Sequence, residues 1–307
     1  MIYITGDTHG DLQDLEKRLK ALSLSKDDIL VICGDFGFDW NNDAIMEWMK
    51  FRHDYTVLFC DGNHENFDVL EKLTQVPMFG DTVGRFCNNT YRLMTGHMYD
   101  IQSLRFFVFG GAASIDKDWR VDPEYVRMYG KLWWKQEVPS QDVLDFAKRT
   151  LAENNWKFDF FLSHTCRSAL KPALLGQSNI PFHDPTEDMI GDLEDMILEN
   201  GGSWRQSFFG HFHVDKDVEK HHCLFKQIMK VNADGSVCTV STVSAPAVPR
   251  SEFREMENEI AELVSKCESL LKNAGLRDST KVREIYRALL SGEITEEEAS
   301  GMLSELS

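Results

Sequence analysis

The chain has 307 residues, a formal net charge of −17, a hydrophobic fraction of 42% and a charged fraction of 27%. This composition is typical of a globular protein and argues against general disorder, and no apolar run reaches the roughly 20 residues of a membrane span. The acidic charge argues against a protein that grips long nucleic acid through its surface, because neutralising phosphates requires Lys and Arg.

The first third of the chain alternates predicted strands and helices. Short apolar runs rich in β-branched residues predict buried strands at Ile2–Thr5, 29–33 and 57–60. Apolar residues spaced three or four apart predict a helix over 12–22 and a second helix over 44–51. Such β-α-β units favour a parallel arrangement with right-handed crossovers.

Polar motifs follow these three strands at the point where each strand ends. Asp7 and His9 follow the first strand, Asp35 follows the second, and Asn63 with His64 follows the third. The carboxyl ends of parallel strands meet at one edge of an open α/β sheet, which is where such sheets bind ligands. We therefore expect these side chains to lie close together.

The middle of the chain repeats this pattern. Apolar runs at 105–109, 158–162 and 207–209 predict further strands, each followed by a polar or glycine motif. Short edge strands are expected after them, at 214–218 and 224–228. We expect two β-sheets packed face to face, with helices on the outside.

Two helices are predicted within this middle part. Ser140 and Asp142 can begin a helix that runs to about Asn154. Residues 189–198, closed by a Gly-Gly pair, predict the other helix.

Two further features have no assigned chemistry. The run from Gly110 to Ser114 follows a strand, and it predicts either a close approach to substrate or a tight turn. The pair His221-His222 lacks the strand-end context of the other motifs, so a solvated hairpin is expected there rather than a metal site.

The composition changes near residue 232. Residues 232–250 are rich in Ser, Thr, Val, Ala and Pro, which predicts a linker or an extended segment lying on the core. Residues 251–307 carry a heptad-like apolar stripe and then a capping box, which predict a helical appendage. The stripe allows either a homo-oligomer through a coiled coil or docking onto the chain's own core. We therefore expect a motif-bearing domain over 1–231, followed by these two segments.

The motifs together contain seven side chains of the types that divalent metals accept. They are Asp7, His9, Asp35, Asn63, His164, His211 and His213. Residues two apart in an extended strand end point to the same side, and one carboxylate has two oxygens with which to bridge two ions. One metal is therefore assigned Asp7, His9, Asp35 and His213. The other is assigned Asp35, Asn63, His164 and His211.

A pair of metal ions is a standard device for attacking a phosphorus ester. A water or hydroxide shared by the ions would attack phosphorus in line, while both cations absorb charge on the phosphoryl oxygens. His64, adjacent to Asn63 and surplus to coordination, is the candidate general acid for the leaving alkoxide. Arg167, three residues after His164, is the candidate phosphate-binding cation.

The motifs resemble, in order, the five blocks of the calcineurin-like metallophosphoesterases. They are Gly6-Asp7-Thr8-His9-Gly10, Gly34-Asp35, Gly62-Asn63-His64-Glu65, His164 and Gly210-His211-Phe212-His213. The resemblance implies an αββα sandwich of the α/β class and a dinuclear centre of Mn, Fe, Zn or Ni. The block forms look most like the phosphoprotein phosphatase and diadenosine-tetraphosphatase branch. The whole core also resembles small bacterial and phage enzymes.

One block departs from the phosphoprotein phosphatase pattern GDxxDRG, whose Asp orients the catalytic His and whose Arg holds phosphate. The run from Gly34 to Trp40 reads GDFGFDW. The second acid, Asp39, is therefore displaced by one position, and the Arg is absent. Asp39 is the candidate for orienting His64.

We expect a dinuclear metal-dependent phosphoester hydrolase, with Mn favoured and a phosphorylated small molecule or protein as substrate. A phosphomonoesterase resembling serine/threonine phosphatases is preferred from the block forms. The alternatives are a phosphodiesterase or nuclease, favoured by the missing Arg, and a non-catalytic metal-binding scaffold that acts through its helical tail.

The cellular location is inferred from the cysteines and the N-terminus. Seven scattered cysteines, odd in number and never in a C-x-x-C pair, favour free thiols in a reducing compartment. The first residues carry no basic leader and meet a candidate ligand at Asp7. A cytoplasmic protein without a membrane partner is therefore expected.

Overall fold

Runs of β-branched and aromatic residues organise the chain into two β-sheets. The computed structural model describes residues 1–20, 22–37, 48–51, 53–176 and 182–241. These residues all belong to one compact unit, Met1–Ala245. Its strands are β1 (Ile2–Thr5), β2 (Ile29–Ile32), β3 (Thr56–Phe59), β4 (Thr74–Met78), β5 (Asp81–Cys87), β6 (Thr90–Leu93), β7 (Met98–Ile101), β8 (Leu104–Phe109), β9 (Phe160–Ser163), β10 (Gln206–Phe209), β11 (Lys216–Val218), β12 (His221–Cys223), β13 (Ile228–Val231) and β14 (Val237–Ser241).

The helices lie between these strands. They are α1 (Leu12–Leu19), α2 (Phe67–Leu70), α3 (Lys117–Arg120), α4 (Pro123–Tyr129), α5 (Gln141–Glu153), α6 (Lys171–Leu175) and α7 (Pro185–Glu199), with 3₁₀ turns at Lys135–Glu137 and Ser168–Leu170. Residues 48–50 are also helical, within the segment 44–51 that was predicted as a helix. The rest of that prediction falls on residues outside the described ranges. None of the described helices has both the length and the apolar character needed to cross a membrane.

The described strands form a sheet of eight and a sheet of six. The larger sheet has the order β14-β13-β1-β2-β3-β6-β5-β4, and the smaller has the order β11-β12-β10-β9-β8-β7. Strands β1, β2 and β3 are parallel and in step, with Thr5 opposite Ile32 and Ile32 opposite Phe59. Strands β8, β9 and β10 are likewise parallel in the smaller sheet. The predicted parallel arrangement is therefore confirmed.

The central strands are apolar on both faces because each sheet lies between a second sheet and a layer of helices. Along β8, Phe106 and Val108 belong to a core shared with residues of the other sheet. Phe107 and Phe109 instead pack in a cluster with Leu144 of α5 and other residues of α5 and α7. This alternation gives the predicted αββα sandwich.

Local capping residues fix the two long helices. Ser140 caps α5 by accepting from the backbone N–H of Val143, so this helix begins and ends as predicted. The other helix, α7, was predicted to begin at 189 and instead begins at Pro185. The side chain of Asp184 accepts from the Thr186 N–H there, and proline is well suited to a first helical position.

The predictions after β10 were partly wrong. The strand expected at 214–218 is present as β11, but residues 224–227 form a connection between β12 and β13 instead of the strand expected there. Strand β12 pairs in parallel with β10. His221 and His222 are 6% and 7% exposed, so they are not in a solvated hairpin. Asp217 lies 2.6 Å from the Nδ1 of His222, and this contact offsets the cost of burying the imidazole.

The larger sheet continues beyond residue 231. Strand β14 pairs in antiparallel fashion with β13, so residues up to Ser241 form a sheet edge rather than a linker. The remaining residues 242–250 and the predicted helical appendage over 251–307 lie outside the described ranges, and the proposed domain division stays a prediction. Strands β4 to β7 were not anticipated. Strand β4, which pairs in antiparallel fashion with β5, is largely exposed and carries Pro77, so its sequence gives a weak strand signal.

The intersheet core predicts a large difference between two leucine variants. Leu162 of β9 is fully buried in this core, so Leu162→Ala should lower the free energy of unfolding by about 2–5 kcal/mol. Leu198 of α7 is 56% exposed, so Leu198→Ala should change it by less than about 0.5 kcal/mol. Urea denaturation of both variants measures this difference. Equal effects would contradict the assigned layers.

Candidate metal centre

The predicted ligands lie on loops that follow five parallel strands. Those strands are β1, β2 and β3 of the larger sheet and β9 and β10 of the smaller sheet. The loops after β1 and β2 are joined directly, since the His9 backbone N–H donates to the carbonyl oxygen of Asp35 at 2.8 Å. Adjacent carboxyl ends of the two sheets thus hold all seven side chains.

The first group of ligand atoms surrounds the Asp7 carboxylate. Its Oδ2 lies 3.0 Å from the His213 Nε2 and 3.7 Å from the His9 Nε2. The two Nε2 atoms are themselves only 2.9 Å apart. Two imidazole nitrogens and a carboxylate oxygen all within 4.8 Å of one another fit the donor set of a divalent metal.

The second group surrounds the amide oxygen of Asn63. Its Oδ1 lies 3.0 Å from the His164 Nε2 and 3.1 Å from the His211 Nδ1. The His164 Nε2 is also 3.3 Å from the Asp35 Oδ1. These four residues are the ones assigned to the second ion.

Asp35 faces both groups. Its Oδ1 lies near His164 in the second group, and its Oδ2 lies 3.8 Å from the His9 Nε2 in the first. The side chain is therefore placed as a bridging carboxylate requires. Its Oδ1 also accepts from the His64 backbone N–H at 2.8 Å, which ties the third motif to the second.

Hydrogen bonds behind the ligands orient them. The Nδ1–H of His164 donates to the Cys33 carbonyl at 2.8 Å, which leaves Nε2 to face the site. The Asn63 Nδ2 donates to the Ser114 Oγ at 3.2 Å, which directs the amide oxygen toward the imidazoles. Glu65 has a role that the sequence did not indicate, because its Oε1 accepts from the Phe36 N–H at 2.7 Å and holds the β2 loop.

Four of the seven ligands have a left-handed backbone. His9, Asp35, His211 and His213 have φ values of 46°, 47°, 68° and 51°. Such conformations are uncommon outside glycine and cost of order 1–3 kcal/mol each. These backbone conformations direct the side chains into the site, and the strain lowers the free energy of unfolding.

Two glycines allow the motifs to approach one another. A Cβ atom on Gly62 would collide with the backbone nitrogen and Oδ1 of Asp35. A Cβ atom on Gly210 would collide with the Oδ1 of Asp7. Each glycine therefore makes room for a ligand that belongs to a different motif.

The electrostatics favour a bound cation. Burial raises the pKa of the Asp7 carboxyl, but hydrogen bonds from His213 and His9 outweigh burial and hold this pKa well below its usual range. Burial likewise lowers the pKa of His164, but the Asp35 and Asp7 charges outweigh it and raise this pKa to about 10. Burial, together with the His164 charge, lowers the pKa of His211 to about 3. The ionised carboxylates would attract a metal, which competes with the His164 proton.

Two predicted residues stand apart from this arrangement. Asp39 lies outside the described residues. The Arg167 Nη1 lies 3.2 Å from Glu194 and 2.9 Å from Asp195, both on α7, so its guanidinium is neutralised there. The geometry therefore gives no support to a phosphate-binding role for Arg167.

Sequence reasoning missed a different guanidinium. The Nη2 of Arg120 lies 2.5 Å from the Nδ1 of His64, although the two residues are 56 positions apart. No recognised motif surrounds Arg120 in the sequence. Its only signal is its place shortly after the Gly110–Ser114 run, which was left without a function.

Comparison with known proteins agrees with this geometry. A family model described as calcineurin-like phosphoesterase matches residues 1–215. All five motifs lie within the matched residues, and the resemblance stated from them is confirmed at the level of the family. A search of curated proteins finds no match.

The glycine contacts predict a specific loss of metal. In Gly62→Ala the added methyl group should displace Asp35, so the purified protein should bind less metal while remaining folded. The matched control is Gly191→Ala on α7, where a Cβ atom would meet only the Arg167 Cβ within 4 Å, at an ordinary 3.7 Å. Elemental analysis and urea denaturation measure metal content and folding. Full metal content in Gly62→Ala would refute the close approach.

The His164 shift predicts that metal binding releases a proton. With its pKa raised to about 10, His164 is protonated in the metal-free protein at neutral pH and must lose this proton to bind. Affinity should therefore rise with pH, by up to about tenfold per pH unit for one released proton. His211, with its pKa lowered to about 3, should release none.

Calorimetric titration with Zn²⁺ in buffers of different ionisation enthalpy counts the protons. His183→Gln, which alters a side chain 73% exposed, should leave the count unchanged. Binding without proton release would show that the assigned protonation of His164 is wrong.

Proposed function

The chain belongs to the calcineurin-like phosphoesterase family, and we propose that it is a dinuclear metal-dependent phosphomonoesterase. The observation that carries this proposal is the convergence of two ligand groups on Asp35, whose two oxygens face one group each. A single carboxylate shared between two donor sets is what a two-metal centre needs. Members of this family are metal-dependent phosphoester hydrolases with a dinuclear divalent centre.

Each side chain of the candidate site has a proposed role. Asp7, His9 and His213 with Asp35 would hold one ion, and Asn63, His164 and His211 with Asp35 would hold the other. When bound, the ions would supply a nucleophilic water and absorb charge on the phosphoryl oxygens. His64 follows ligand Asn63, and its ring lies 5.2 Å from the ring of His9, so it borders the site. It is the side chain we assign to the leaving oxygen.

Preference for a monoester is supported by the forms of two motifs, Gly6–Gly10 and Gly62–Glu65. The net charge of −17 adds to this, because it disfavours a long polyanionic substrate. The substrate is accordingly a phosphorylated small molecule or protein.

A phosphodiesterase is the second candidate, and one observation favours it. The motif that begins at Gly34 lacks the arginine that would grip a monoester dianion. Arg167, the expected substitute, is paired with carboxylates of α7. A phosphodiester carries less negative charge than a phosphomonoester, so its binding depends less on an arginine.

The metal and the location are inferred from the donor chemistry and the thiols. A mixed set of imidazole nitrogens and hard oxygens suits Mn, Fe or Zn, and we propose Mn. The described cysteines are all free thiols, which supports a reducing compartment such as the cytoplasm. A scaffold acting through the tail is disfavoured, because every predicted ligand is present.

Hydrolysis of p-nitrophenyl phosphate and of bis-p-nitrophenyl phosphate with added Mn²⁺ tests the proposal. We expect kcat/KM to favour the monoester, with activity lost on chelation and restored by Mn²⁺. A preference for the diester would select the second candidate. Absence of turnover on both substrates in the metal-loaded protein would leave the scaffold as the better account.

A further inference from the structure

Arg120, the last residue of α3, is completely buried beside His64. Its Nη2 lies 2.5 Å from the His64 Nδ1, and its Nη1 lies 3.4 Å from the Asn63 carbonyl oxygen. The guanidinium thus contacts two consecutive residues of one motif. An isolated buried charge is costly, so this placement requires compensating contacts.

Those contacts come from one carboxylate and from a hydroxyl that is itself hydrogen-bonded to a second carboxylate. The Asp116 carboxylate lies 3.4 Å from the Arg120 Nε. The Ser114 hydroxyl donates to the Glu137 Oε2 at 2.7 Å and accepts from the Arg120 Nη1 at 3.1 Å. Because this oxygen also accepts from Asn63, one donor and two acceptor positions are all used. Arg120 is therefore held by Asp116, by Ser114 and by the two residues of the third motif.

The run from Gly110 to Ser114 anchors this assembly to the fold. The Gly111 N–H donates to the Asp61 carbonyl at 2.7 Å, next to the third motif. The Ala113 N–H donates to the Asp184 carboxylate at 2.9 Å, at the beginning of α7. These two hydrogen bonds hold the run between the loop after β3 and the beginning of α7, and so they fix the position of Ser114. Arg120 is positioned in turn by its hydrogen bond to Ser114.

In the contact between Arg120 and His64, the donor and the acceptor can be assigned. A guanidinium has donors and no acceptor, so the Nδ1 of His64 must present its lone pair to Arg120. A neutral imidazole carries one ring proton, which must then lie on Nε2.

We propose that Arg120 is a positioning residue that holds His64 with the lone pair of Nδ1 toward the guanidinium, so that an Nε2–H is left to donate a hydrogen bond to the leaving oxygen. This inference rests on the proposed function for the identity of that oxygen. It differs from the orienting carboxylate expected from Asp39, because a carboxylate would accept a hydrogen bond from an Nδ1–H. His64 then stabilises charge on the departing alkoxide through a hydrogen bond, as a neutral imidazole can, and the alkoxide takes its proton from solvent water.

Nitrogen NMR on the Zn²⁺-loaded protein tests the tautomer without any assay of activity. The ¹⁵N shifts of His64, assigned by comparison with His64→Gln, are recorded at about pH 8, above the ordinary pKa of imidazole. We expect a bare Nδ1 and a protonated Nε2. A protonated Nδ1, or protonation of both nitrogens, would overturn the proposal and favour a carboxylate partner such as Asp39. This outcome needs no substitution of Arg120, so it stands even if Arg120 variants fail to fold.

Variants of Arg120 then separate positioning from structure. In Arg120→Met the tautomers of His64 should mix, whereas Arg120→Lys keeps a donor and should retain the Nε2–H form. Arg127→Met, which alters an exposed arginine on α4, is the matched control and should change nothing. Unchanged His64 shifts in a folded Arg120→Met protein would overturn the proposal.

Leaving-group dependence supplies the kinetic readout. Glycerol phosphate has a poor leaving group and p-nitrophenyl phosphate a good one. Loss of a hydrogen bond to the leaving oxygen in Arg120→Met should therefore lower kcat about 10²-fold for the first and less than about threefold for the second. KM should be the same in Arg120→Met as in the wild type, because the guanidinium is buried and is not expected to contact substrate. Equal losses for both substrates would assign Arg120 a purely structural role. Wild-type protein inactive on both would refute the proposed function, while the NMR result would still decide the tautomer.

Discussion

Two carboxylates buried between the sheets, Asp7 and Asp35, are the constraint on which the rest of this structure depends. Each is about 1% exposed, and a buried ionised carboxylate is tolerated only when charges and hydrogen bonds surround it. Imidazoles supply most of this compensation, and backbone N–H groups of His64 and His211 supply more. The negative charge that remains favours binding of a cation at this candidate site.

The sandwich provides the geometry that these carboxylates need. Parallel strands end together at one edge, so short loops from both sheets can bring donors within a few ångströms. The loops must still approach closely, which is why glycines stand at the positions where Asp7 and Asp35 would meet a Cβ atom. The left-handed ligand residues and the glycines are two consequences of the same crowding.

The outer layers contribute to the site as well as to the core. The segment between β8 and α5 carries Ser114, Arg120 and Glu137, and the sequence assigned no role to any of them. Their hydrogen bonds reach the amide of Asn63 and the imidazole of His64, and the N–H of the neighbouring Ala113 donates to Asp184 at the beginning of α7. Hydrogen bonds in a buried polar network strengthen one another. The position of α7 is therefore coupled to the orientation of Asn63 and His64 at the candidate site.

The sequence by itself determined the parallel strands, the capped helix α5 and the seven candidate ligands, because each is written in local periodicity or in a short motif at a strand end. It did not determine the burial of His221 and His222, the edge strands β4 and β14, or the partners of Arg167 and Arg120. Those depend on contacts between distant segments, such as the 56 positions that separate Arg120 from His64. Only tertiary packing decides which guanidinium meets a carboxylate of α7 and which meets the imidazole, since the two arginines look alike in sequence.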